Sequence, residues 1–65
     1  MDEATKEMLE EAYRDTAEES IARGFPSEKA HEEAVIAAAM FLSAIKGVED
    51  EAARQQVAAL GFKRK

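Results

Sequence analysis

The side chains whose types and spacing could do chemistry are Glu28 and His31, a Glu-x-x-His pair with Glu32 beside it. Residues three apart on a helix share a face, so this pair would aim a carboxylate and an imidazole at one cation. Glu18 or Glu19, late in the preceding helix, could add a third ligand. The pair sits in a polar stretch rather than in the apolar middle of its segment, where a dry cavity would form. In a chain with fourteen acidic residues, a glutamate three positions before the one histidine needs no metal to explain it. His31 therefore reads as a surface residue in the first turns of a helix, and no cofactor is expected. Glu28 and His31 remain the alternative ligands.

Other chemistry has less to stand on. With a single histidine and no cysteine, a hydrolytic triad, a thiolate zinc site and a disulfide all lack their parts. Ser43 lies within an apolar run, its hydroxyl within reach of the Ala39 carbonyl one turn back, and reads as a tolerated core residue rather than a nucleophile. Tyr13 falls in an apolar row and reads as a core ring with its hydroxyl at the edge. There is no glycine-rich phosphate loop. The chain is not expected to be an enzyme.

The elements that must position these residues are helices. Fourteen alanines, no β-branched alternation, and one proline and three glycines placed where helices should stop predict an all-α chain. The expected fold is a small three-helix antiparallel bundle, a helical hairpin plus a shorter third helix. It forms a single domain over 1–65, with helices at about 3–23, 28–46 and 50–60 and a basic tail at 63–65. Asp2 is suited to cap the first helix. Gly24-Phe25-Pro26-Ser27 ends that helix and starts the second, with Gly24 left-handed and Ser27 as the cap. So short a link makes the first two helices antiparallel neighbours.

In the first helix Leu9, Tyr13, Ala17, Ile21 and Phe25 form an apolar row at spacing four, beside a row of mostly small residues. Opposite lies a uniformly acidic row, Glu3, Glu7, Glu11, Asp15 and Glu19. The second helix turns polar to apolar along its length. Eleven of the twelve residues in 34–45, AVIAAAMFLSAI, are apolar. Ala34, Ala38, Phe41 and Ile45 form one apolar side, widened by Val35, Ala39 and Leu42, and the first helix covers one side of this segment and the third can cover a second. Ile36 and Met40 then point elsewhere. The third helix offers only Ala53, Val57 and Leu60, too little to cover the remainder.

Charge narrows the partners. The net charge is −5, with −7 over residues 1–33 (eleven acidic, four basic) and +2 over residues 34–65 (three acidic, five basic). Direct nucleic-acid binding is disfavoured, because phosphate affinity comes from Lys and Arg, and a helix-turn-helix would need more groove-reading side chains than one Arg and two Gln. The apolar run is twelve residues, short of the ~18 a membrane span requires, and six charges in the first twelve residues do not make a secretory leader. A cytoplasmic location is expected.

Three functions fit these constraints. The first is a small acidic protein–protein interaction module, a homodimer that buries Ile36, Met40 and Phe62 and binds a basic protein surface through Glu3, Glu7, Glu11, Asp15 and Glu19. The second is a nucleic-acid mimic whose carboxylates replace phosphates in a basic groove, the character of small phage and mobile-element inhibitors such as anti-CRISPR proteins. The third is a ferritin-like metal-binding helical dimer on Glu28 and His31.

Overall fold

The computed structural model describes residues 2–62, and the basic tail at 63–65 lies outside them. Three helices follow one another: α1 over Glu3–Ala22, α2 over Ser27–Lys46 and α3 over Asp50–Leu60. Among the described residues there is no strand. α1 and α2 pack along their lengths as a hairpin, and α3 packs mainly on α2. The chain is a small three-helix bundle.

Local chemistry accounts for the boundaries. Asp2 is extended and its carboxylate accepts the Thr5 backbone N–H at 3.2 Å, capping α1. At the other end the Phe25 N–H reaches the Ser20 carbonyl at 3.0 Å and the Gly24 N–H reaches that of Ile21 at 2.9 Å. This paired closure needs a left-handed residue, and Gly24 supplies φ +94°. Ser27 is not the cap of α2. Pro26 holds that position in extended conformation and its carbonyl takes the Ala30 N–H at 2.9 Å, so Ser27 becomes the first helical residue. α3 likewise starts from Glu49 without a side-chain cap.

The core is thin. Leu9, Tyr13, Ala17, Ala34, Ala38, Ala39, Leu42, Ala53, Val57 and Phe62 form it, with Val35, Val48 and Leu60 against its margin. On α1 the apolar row is buried as far as Ala17, after which Ile21 is half-buried and Phe25 exposed. On α2 the buried row is Ala30, Ala34, Ala38 and Leu42, a strict spacing of four. Phe41 and Ile45, expected on that row, are 50% and 42% exposed. The physical reason is that ridges at i±4 pack into one another, so the contact line drifts around α2. A seven-residue pattern through Phe41 and Ile45 leaves that line before the helix ends.

Phe62 is a second departure. Expected at the surface beside Ile36 and Met40, it is buried, its ring 5.7 Å from that of Tyr13. Gly61, at φ +71°, turns the chain after α3 back onto the hairpin and drops Phe62 into the core.

Candidate interaction surface

Three groups of side chains are candidates for function, and the fold separates them. The first surrounds Tyr13. Its ring is buried, and its hydroxyl stands 2.6 Å from His31 Nδ1 in a hydrogen bond, the hydroxyl donating when that nitrogen carries no proton. The two rings meet edge to face at 5.5 Å. Sequence reasoning placed His31 at the surface and Tyr13 in the core, and both positions hold. The bond between them was not foreseen, because it joins residues eighteen apart whose relative height depends on hairpin register. Glu28 is exposed, and among the described residues no three His, Cys, Asp or Glu side chains gather closely enough to hold a metal ion. Ser43 also finds a partner other than the expected Ala39 carbonyl. Its hydroxyl donates to the Val48 carbonyl at 2.8 Å, which ties the end of α2 to the link into α3.

The second group is the acidic row. Glu3, Glu7, Glu11, Asp15 and Glu19 are all exposed along the side of α1 away from α2. Glu19 pairs with Arg23 at 3.1 Å, and the other ion pair among the described residues is Lys29 with Glu33 at 4.0 Å. Both are i,i+4 pairs in water and contribute little to stability. Four of the five ridge carboxylates therefore stand without an ion-pair partner among the described residues. Asp2 behaves differently. Hydrogen bonds from the Thr5 side chain and backbone hold its carboxyl below the ordinary aspartate range, with Lys46 a smaller contributor.

The third group is apolar and exposed. Ile36, Met40, Phe41 and Ile45 of α2 and Met8 of α1 are 39%, 65%, 50%, 42% and 50% accessible. At about 100° per residue, Ala37, Met40, Phe41 and Ala44 lie on the flank of α2 opposite Val35, Ala39 and Leu42, which meet the core that α3 completes. Met8 stands well round α1 from Tyr13, the residue that touches Phe62. The hairpin thus has two flanks: α3 covers one, and Met40 and Phe41 are carried on the other, with Ile36 and Ile45 a quarter turn to either side of it. With ~200 Å² for a large side chain, the uncovered parts of these five residues come to roughly 500 Å². That is near the upper size of apolar patches on monomers, which are often functional.

No helix among the described residues is long and apolar enough to cross a membrane. The carboxylates at the start of α2 interrupt the one helix whose second half is apolar enough to suggest it. Comparison of the chain with protein-family models, characterised proteins and solved structures returns no match.

Proposed function

We propose that this chain acts by binding other proteins rather than by catalysis, as a dimer that joins through the bare flank of the hairpin and offers the α1 ridge to a basic surface. The observation that carries the reading is a group of large apolar residues, each between 39% and 65% exposed: Met40 and Phe41 on the flank of α2 that α3 leaves uncovered, Ile36 and Ile45 bordering it, and Met8 on α1. Hydrophobic burial supplies most of the free energy of association, and the ridge, on the far side of α1, supplies charge that selects a basic partner. Both surfaces can be used at once. Sedimentation equilibrium tests the first half: a 7.1 kDa species at micromolar concentrations and above would sink the dimer. The second half is tested by affinity capture from the native host with the wild-type chain and with Glu7, Glu11 and Asp15 changed together to Gln. A partner retained equally by both would dispose of the ridge.

A second reading, a carboxylate surface that takes the place of nucleic-acid phosphates in a basic groove, draws on the same four ridge residues without ion-pair partners. It predicts that a nucleic acid competes with this chain for the captured partner, and that binding falls steeply with salt.

A further inference from the structure

We infer that the occupant of the bare flank is a second copy of the chain, seated antiparallel so that the two α2 helices meet about a two-fold axis between Met40 and Phe41. This rests on the dimer proposed above and specifies how its halves meet. A symmetric contact requires that if residue i meets residue j, then j meets i. For antiparallel helices the numbers of facing residues must then have a constant sum. The outward positions of α2 obey that condition: Ala37 answers Ala44 and Met40 answers Phe41, and Ile36 stands level with Ile45 at the edges of the contact. Ile36, Met40, Phe41, Ala44 and Ile45 are exposed and Ala37 is half-buried.

The pairing is also chemically apt. Met40 against Phe41 puts a thioether beside an aromatic ring at the centre. Ala37 against Ala44 lets the backbones approach, and Ile36 and Ile45 border the contact on its two edges. A slip of four residues one way would set Ile45 against Glu32, and the other way Ile36 against Glu49. Charge favours the antiparallel sense. Glu28, Glu32 and Glu33 crowd the first half of α2, whereas 34–45 carries no charge and Lys46 ends the helix. A parallel pair would bring the acidic halves together, and the antiparallel one places each near the partner's neutral and basic end and opposes the helix dipoles. The four large side chains of α2 expose ~400 Å² per copy, so the pair would bury ~800 Å² from these alone, and the alanines and Met8 bring the total toward ~1,000 Å², about the lower limit for a specific interface. A second copy with the same pattern is therefore sufficient to cover the face.

The chain has no cysteine, so introduced thiols report the register directly. Isotopically labelled Ile36→Cys is mixed with unlabelled Ile45→Cys, allowed to exchange subunits, and treated with a short bis-maleimide before intact-mass measurement. Circular dichroism first checks that each variant keeps wild-type helicity. The expected result is the mixed 36–45 product in several-fold excess over both like pairs together. Like pairs equal to or above the mixed product, in a protein that sediments as a dimer, would overturn the antiparallel register and leave the dimer standing. A wild-type chain that sediments as a monomer would overturn both. Full protection of both thiols by a co-purifying foreign protein, without cross-linking, would give the face to that protein and overturn the second copy.

Discussion

Met40→Lys separates the stability of the bundle from its association. Met40 is 65% exposed and on the outer flank, and lysine is as good a helix former as methionine. In an isolated bundle the change should therefore stay within ~0.5 kcal/mol. In a dimer the exposed part of Met40 amounts to ~130 Å² of apolar surface, worth roughly 3 kcal/mol per copy at ~25 cal/mol per Å² if all of it were covered. Partial coverage and the ordering of the contact reduce this, and ~2–4 kcal/mol for the pair is a reasonable working figure, a weakening of about 30- to 700-fold in Kd. The net charge moves from −5 to −4, so general repulsion between copies decreases, and any loss of association must be local. Two readouts are needed. Sedimentation equilibrium should show the loss, and the melting temperature of the wild type should rise with protein concentration while that of the variant does not. If wild type and variant associate to within threefold of each other, or neither associates, the reasoning fails.

Three further outcomes follow from the core and the caps. Leu42→Ala, at a fully buried site, should cost ~2–5 kcal/mol; cores of this size seldom supply more than ~3–5, so most of the helical circular dichroism at 25 °C should be lost. Tyr13→Phe removes the hydroxyl bonded to His31 and should cost about 1 kcal/mol by chemical denaturation; an unchanged stability would contradict a stabilising role for that bond. Because the Asp2 carboxyl titrates below its unfolded value, its contribution is present above the ordinary aspartate pKa and disappears as pH falls through the depressed one. Asp2→Asn should reduce that part of the acid dependence, and an NMR titration of Asp2 at or above the ordinary value would contradict the cap.

How much of this was legible in the sequence follows from range. The ends of the helices depend on a few adjacent residues, and Asp2, Gly24, Gly47 and Gly61 announced them to within a residue; Ser27 was misplaced as a cap, because Pro26 adopts the extended cap conformation one residue earlier. Which side of α2 faces α1 depends on the crossing of two helices. Ala30, Ala34, Ala38 and Leu42 carried the signal, at the same spacing of four as Leu9, Tyr13 and Ala17. Reading that row through to Leu42 would have put Phe41 and Ile45 outside. Burial of Phe62 depends on the turn at Gly61 returning the chain to Tyr13, and the bond from Ser43 to Val48 depends on the turn after Lys46. The glycines mark where each turn falls, but the partner each turn brings within reach depends on the path the chain takes after it. For the candidate surface, the ridge and the outward placing of Ile36 and Met40 were readable, since each follows from helical periodicity alone.

The alanines between the two long helices impose a constraint of their own. Ala34 and Ala38 are fully buried where α2 meets α1, and a larger side chain at either would act as a wedge, because close-packed interiors do not absorb added methylenes without strain. The hairpin would open at its middle, tilting the ridge of α1 relative to the outer flank of α2. Two single methyl groups thus govern the angle at which the two exposed surfaces are held, although neither alanine touches solvent.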